Sequence, residues 1–486
     1  MGLTEESIGS LGSGWEARRW LESVRDAGEV HDLGELGPEI AIGAIAEGAA
    51  RAGHPTCFVA HLESRGGPAW RVVIDRFGSS ARHAIALGLP REMANHEGML
   101  LFWRSIAGDV KSLAPKLIQD PFGSAVNGDD INLAELPTSG WPPSAVGSLG
   151  AGCHAIWSGR GGRPVVASCA AQVLDHKHLS VVLYEPHPPS AGQTGPSMPA
   201  RGDQVAVTAG ADPILSVAWS VRGLAESGQY EWVGGVRGTP LELWRLPQTD
   251  LTVPARAEVI IGGVVGPELD PATGGWAGST GYFEQGGKSF TIEVSSLRRR
   301  QDPILFADVA GRPPHDQAIL LSYPRSALLE KQLRAAGLPN LVGAWCLPQA
   351  DSHLMTVVAV RQSYAGHAVQ ALNLAAQAGA AAYASRYVIV VDEDIDIFNL
   401  EDVLWALLTR CDPERDIRVI SRTWSGNGDP ALRTEDRGHN SRLAIDATRP
   451  WEWIDQFAEA ITSPAAEHSA RERWGWILKP GARDPR

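Results

Sequence analysis

Apolar positions in the first 120 or so residues alternate between helical and extended spacing. Trp15 to Val30 has an amphipathic helical pattern, Ile40 to Arg51 is rich in Ala and Ile, and Trp70 to Ile74 is a short β-branched run. This predicts a small α/β unit. Between about 120 and 150 the chain turns to Asp120-Pro121, Asn127-Gly128-Asp129-Asp130 and Gly140-Trp141-Pro142-Pro143, which is turn chemistry and marks a boundary. From 163 to 310 short β-branched runs recur between turn signals: Pro164–Val166, Ser180–Tyr184, Val205–Val207, Leu241–Trp244, Ala257–Ile261 and Phe290–Val294. They predict a β-rich barrel or sandwich. After 315 a second α/β pattern follows, with an apolar run Met355–Val360, an Ala-rich helix from Ala368 to Ala384 and a strand Tyr387–Val391. The predicted domains are 1–120, 121–318 and 319–486, and no fixed-period repeat points to a solenoid.

Composition narrows the function class. The 486 residues carry 43 Lys+Arg against 56 Asp+Glu, a net charge of −13, without a sustained basic run. Nucleic acid and an anionic membrane surface are therefore unfavourable partners. A hydrophobic fraction of 44% with 20% charged residues fits a folded enzyme that binds a small molecule. Cys57, Cys153, Cys169, Cys346 and Cys411 form no CxxC pair, and their odd count predicts free thiols in a reducing cytoplasm. The Met-Gly-Leu-Thr-Glu-Glu start lacks a signal-peptide pattern, and the apolar stretch 371–392 is broken by Asn373, Gln377 and Arg386, so no membrane span is expected.

Few short motifs carry chemistry. Gly12-Ser13-Gly14 and Gly147 to Gly152 read as turns, and no P-loop, HExxH or Gly-x-Ser-x-Gly elbow occurs. Asp392-Glu393-Asp394-Ile395-Asp396 stands between a strand and the helical Leu400–Thr409, where carboxylates cap a helix more readily than they bind a cation. Asp175-His176-Lys177-His178 reads as a solvated turn with a possible acid–base histidine.

Taken with Asp212-Pro213, Val253-Pro254-Ala255, Gly281-Tyr282 and Gln301-Asp302-Pro303-Ile304, the chain resembles the UbiD family of reversible decarboxylases. The most specific match is the run from Val391 through Asn399, followed by Val403-Leu-Trp-Ala406, Thr409-Arg410 and Asp412-Pro413. The resemblance implies an α/β N-terminal domain, a central split β-barrel that holds prenylated FMN, and an α/β C-terminal domain that makes dimers or hexamers. It also implies decarboxylation of aromatic or α,β-unsaturated acids, with a Glu-Arg-Glu network handling protons and a divalent metal clamping the flavin phosphate.

The site residues of the family do not carry over. Its Asn metal ligand falls on Val165 and its catalytic Arg on Ala170, while a Gln is kept as Gln172. The metal-binding His falls at Pro188, beside His187, and the third ligand, a Glu, falls near Gln229. Both catalytic Glu positions fall within Thr273-Gly274-Gly275-Trp276-Ala277-Gly278, where no carboxylate stands. Valine cannot ligate a hard cation, and neutral residues cannot reprotonate an adduct. No metal site is expected, and the occupant of the flavin site is left open.

The reading is a diverged, cofactor-independent enzyme using the old cleft, against a non-catalytic partner subunit or a decarboxylase with relocated groups. Candidate catalytic residues are His187, Cys169, Tyr282 and Ser279; candidate cofactor contacts are Gln172, Arg300, Arg361 and Trp276. His187 sits in a proline-rich loop that presents a side chain, Cys169 needs a neighbour to stabilise its thiolate, and Trp276 could stack on a planar ligand. A homodimer or higher homo-oligomer is expected.

Overall fold

A computed structural model of the chain describes residues 15–36, 44–45, 48, 57–62, 70–107, 110–122, 126–127, 130–136, 149, 152–184, 198–221, 225, 228–267, 276–284, 289–306, 311–426, 429–432, 438–457 and 464–474. In the first unit, strands β1 (Val30–Leu36), β2 (Cys57–Leu62) and β3 (Trp70–Ile74) lie side by side, flanked by helices α1 (Ala17–Asp26), α2 (Ser80–Leu87) and α3 (His96–Ile106). The helix starts are set by local chemistry: Ser79 accepts from Arg82 N and Asn95 from Gly98 N, each satisfying an orphan amide of the first turn.

The middle unit is a closed six-stranded barrel. Strands β4 (Cys153–Ser158), β5 (Pro164–Val173), β6 (His178–Leu183), β7 (Gln204–Ala209), β8 (Val259–Val265) and β9 (Ser289–Arg299) pair in the order β8-β7-β4-β5-β6-β9, and β8 closes on β9. Alternate residues point inward, where large Trp157 and Phe290 interdigitate with small Ala155, Ala167 and Ala171 in one buried cluster. The interior is filled, so a ligand must bind outside it. At Gly263 in β8 the register shifts, and a Cβ there would sit 2.2 Å from the Glu293 carbonyl oxygen, which only glycine avoids.

Two features depart from the sequence pattern. Helices α4 (Ile214–Ser220) and α5 (Gln229–Arg237) interrupt the stretch expected to be β-rich. The expected limit between the first two units is also crossed, because strand β10 (Ile304–Phe306) leaves the barrel and pairs in parallel with β3 as the fourth strand of the first sheet. Buried Glu258 fastens this return: Arg18 Nη1 donates to it at 2.8 Å and Ile304 N at 3.0 Å.

Helix α6 (Asp316–Ala335) leads into the C-terminal unit. There β11 (Leu341–Cys346), β12 (Met355–Val360), β13 (Tyr387–Asp392), β14 (Ile417–Trp424) and β15 (His439–Ala447) pair in the order β11-β12-β13-β15-β14. The parallel centre, β12-β13-β15, packs against α7 (His367–Gln377) on one face and α8 (Leu400–Arg410) on the other, which is why β12 and β13 read as near-continuous apolar runs. The Ala-rich helix ends at Gln377, seven residues short of the expected Ala384. Among the described residues no helix is long and apolar enough to cross a membrane.

Candidate functional site

The described end of the segment in which the resemblance placed two catalytic carboxylates opens a tight hairpin, with Trp276–Ala277 pairing antiparallel to Phe283–Glu284. Gly281 turns it with φ 87°, and a Cβ there would lie 2.8 Å from Arg312 Cα, so the turn is pressed against the segment that leads into α6. This aims Ser279 at the C-terminal unit, where its Oγ donates to Asp351 Oδ2 at 2.5 Å. Asp351 and Ser352 sit in the connection between β11 and β12 with φ of 51° and 54°. Two successive non-glycine residues in the left-handed region carry strain that surrounding contacts must hold.

His315 caps α6. Its Nδ1 accepts from Ala318 N at 3.3 Å, so the ring proton is assigned to Nε2, which donates to the Ser279 carbonyl at 2.7 Å and lies 3.7 Å from Asp351 Oδ1. Both ring nitrogens are committed, and the Ser279 hydroxyl is bonded to the carboxylate itself. The Ser, His and Asp therefore do not form a nucleophile relay, in which the imidazole must bridge the other two. His353 Nδ1 donates to the Asp351 carbonyl at 2.6 Å. Burial pushes the Asp351 carboxyl up, opposed by His315, the Ser279 hydroxyl and Arg325, and pushes the His353 imidazole well down.

Arg325 on α6 stands behind Asp351. It is 3% exposed, its Nη2 makes one long bond of 3.4 Å to the Ser220 carbonyl, and its Nε has no partner. Burial lowers its ordinary value to about 10, with Cys346, Asp351 and Tyr383 facing it. Ser352 Oγ, next in the chain to Asp351, is also buried without a partner. Other buried arginines have more partners: Arg237 holds Asp212 by two bonds of 2.6 and 2.8 Å, Arg410 holds Asp392 and Asp394, and Arg442 donates to the Ser385, Ala376 and Ala382 carbonyls.

At the two described positions where the resemblance places metal ligands, the residues do not fit a metal. Val165 packs against the barrel core, and Gln229 spends its amide on Val166, accepting from the backbone N at 2.8 Å and donating to the carbonyl at 2.7 Å. Among the described residues no group of three His, Cys, Asp or Glu could hold an ion. Gln229→Leu strands both backbone groups and is expected to cost about 1–3 kcal/mol, read as a lower urea midpoint. An unchanged midpoint would refute the clamp.

The other candidate residues are dispersed. Cys169 lies sealed in the barrel with its thiol pushed well up by burial, which corrects its assignment as a nucleophile: the apolar wall disfavours the thiolate. Gln172 lies on the same strand, opposite Ser180. Tyr282 shares the Ser279 hairpin but is 67% exposed. Arg300 donates to the Ala255 and Ala257 carbonyls and stacks over Phe122, which makes it a brace of the barrel end. Arg361 is exposed and lies 3.5 Å from Glu393. His187 and the side chain of Trp276 lie outside the described residues. The acidic run does not cap α8, since Asn399 does so by accepting from Glu401 N; Asp392 and Asp394 instead face Arg410 and Arg449. Glu258, Arg325 and Asp351 were not singled out from the sequence.

A cavity of about 310 Å³ opens elsewhere, between α1 and α5, lined by Trp15, Arg19, Lys116, Arg237 and Arg256. Its arginines face Glu16, Asp212 and Glu242, so it offers little uncompensated charge.

Residues 117–313 match the 3-octaprenyl-4-hydroxybenzoate carboxy-lyase Rift-related domain, and residues 318–447 match the C-terminal domain of the same enzyme. Among solved structures, the vanillic acid decarboxylase of Sedimentibacter hydroxybenzoicus in open form is 22% identical with a TM-score of 0.77, covering 96% of this chain and 100% of that one. The UbiD-class enzyme HmfF from Pelotomaculum thermopropionicum in complex with FMN is 21% identical with a TM-score of 0.76, over 94% of this chain and 99% of that one. Apo 3,4-dihydroxybenzoic acid decarboxylase of Klebsiella pneumoniae is 18% identical with a TM-score of 0.75, again over 94% and 99%. At such identities the likeness is one of fold.

Proposed function

The chain belongs to the UbiD family of carboxy-lyases, and from that premise we propose that it is a diverged member acting on an aromatic or α,β-unsaturated carboxylic acid, without the metal-clamped prenylated flavin. The observation that carries the second half is the Gln229 amide, which is tied to the Val166 backbone where a metal ligand would be needed. The first half is supported by the family and by similar structures named as decarboxylases of vanillic and 3,4-dihydroxybenzoic acid. The Ser279–Asp351 contact supports a working site at the junction of barrel and C-terminal unit, because it sets a buried carboxyl beside that hairpin.

The test is a flavin-region absorbance spectrum with native mass spectrometry on protein co-expressed with a flavin prenyltransferase, alongside carbon dioxide release from aromatic acids. The expected result is release of carbon dioxide without stoichiometric flavin or divalent metal. Stoichiometric prenylated FMN would overturn the cofactor-free part, and failure to release carbon dioxide with either preparation would overturn the lyase part.

The same proposal includes a homo-oligomer. Helix α8 exposes Leu400, Leu404 and Leu408 at 42%, 48% and 74%, an i, i+4, i+8 stripe left to solvent by a single chain. Leu404→Glu with Leu408→Glu is expected to lower the mass seen by light scattering, and an unchanged mass would remove this face from the contact.

A further inference from the structure

Resting on the lyase reading above, we propose that Arg325 and Asp351 form a reaction site in which Arg325 receives the substrate carboxylate and Asp351 gives a proton to the carbon that carbon dioxide leaves. Two observations of different kinds meet here. The first is the unmatched guanidinium. A buried guanidinium is costly unless its donors are met, and while Arg237 and Arg410 hold carboxylates and Arg442 three carbonyls, Arg325 has one long bond to a carbonyl and an unpartnered Nε. A carboxylate arriving from solution would complete it with the geometry that a guanidinium fork favours.

The second is the placement of Asp351. Ser279 Oγ fixes one carboxyl oxygen at 2.5 Å, while His315 Nε2 is 3.7 Å from the other and His353 Nδ1 holds the backbone of the same residue. Consecutive left-handed residues at 351 and 352 are the kind of strain that a fold retains where a side chain must be aimed. Ser279, Thr280 and His353 are only half-buried, so the cluster has a solvent side.

The electron balance then sets the substrate class. With no flavin to take the electron pair, the substrate must hold it, as a hydroxyl para or ortho to the reacting carbon allows. The phenolate form pushes its pair through the ring to the carbon bearing the carboxylate, and that carbon takes the Asp351 proton to give a dienone. The bond to the carboxylate then breaks, its electrons restore the ring, and carbon dioxide leaves. Asp351 regains a proton from water, so one proton is consumed for each carbon dioxide released. Hydroxylated aromatic acids and their vinylogues qualify; benzoate does not.

The test uses the full chain made without a prenyltransferase, with 3,4-dihydroxybenzoate and 4-hydroxycinnamate as probes. Wild type is expected to release carbon dioxide from at least one probe, to leave benzoate untouched, and to place one deuteron at the vacated carbon in heavy water. Asp351→Asn is expected to lower kcat by about 10²–10⁴ with KM within about threefold, while Arg325→Met raises KM at least about tenfold. Activity should fall as pH rises through the Asp351 value, with Ser279, His315, His353 and Arg325 as its facing groups. Ser279→Ala removes a bond to the charged form and should move that limb upward.

Turnover in Asp351→Asn at the wild-type rate would overturn the inference and leave the lyase reading standing. Turnover only after co-expression with the prenyltransferase would overturn it too. No turnover of any acid in either preparation would overturn both. Should Asp351→Asn fail to melt like wild type, the Ser279→Ala pH profile decides, and an unmoved limb counts against the inference.

Discussion

Arg237→Leu is expected to lower the melting temperature by on the order of 10 °C, reflecting about 3–5 kcal/mol lost when a buried carboxylate is stranded. Arg237 and Asp212 are both buried, and the guanidinium also donates to the Ala86 carbonyl at 2.7 Å, so one side chain joins α5, the start of α4 and the end of α2. Asp212 further accepts from Ile214 N at 3.0 Å, but a backbone amide cannot neutralise the charge left behind. The double variant with Asp212→Asn should recover part of the loss, since it removes the orphaned charge along with its partner. A single variant that melts like wild type would show that water reaches this pair and that the contact between the units is looser than the distances imply.

Asp75→Asn should stabilise the protein, and by an amount that depends on pH. Burial, then the nearby Asp316 charge, push the Asp75 carboxyl up to about 8, opposed by Arg82, whose Nη2 donates to it at 3.0 Å. Asp316 is itself held by donors from Arg76 N and Phe77 N at 2.7 and 2.9 Å. The folded chain therefore keeps a proton that the unfolded chain releases above its ordinary carboxylate value. Such a contribution is fully present below about pH 4 and is lost as pH rises through about 8. Asparagine is neutral throughout, keeps an acceptor for Arg82, and tolerates the φ of 60° at this position. The gain over wild type should be smallest near pH 5 and reach on the order of 5–10 °C in melting temperature by pH 8. Melting curves across that range decide it, and a gap that does not change with pH would refute the retained proton.

The elements that were legible in the sequence are those whose pattern is enforced by burial. Met355–Val360 and Tyr387–Asp392 are buried on both faces, so composition alone marks them. Helices α4 and α5 were not legible because Val217, Trp219, Tyr230, Trp232, Val233 and Val236 are β-branched or aromatic residues, and packing against the barrel overrides their propensity. Ser279 was named from the sequence, while its partners were not. Asp351-Ser352-His353 has the composition of a plain turn, and its meaning comes from a contact 72 residues away in the chain. Arg325 offered one signal: it stands in α6 between the apolar pairs Leu320-Leu321 and Leu328-Leu329, a setting in which a charged side chain is rarely buried. Cys169 misled for the opposite reason, because a thiol's reactivity is set by surroundings that one sequence does not show.

The return of β10 to the first sheet bears on synthesis at the ribosome. The parallel neighbour of β3 is not translated until Phe306, long after Ile74 has left the tunnel. At about 5–20 residues per second that interval is on the order of tens of seconds. During it the nascent N-terminal sheet exposes β3 as a bare hydrophobic edge, a template for unwanted pairing with other chains. The first part of this protein to be made is thus among the last to be finished, and a chaperone that shields that edge would have its longest task at the start of the chain.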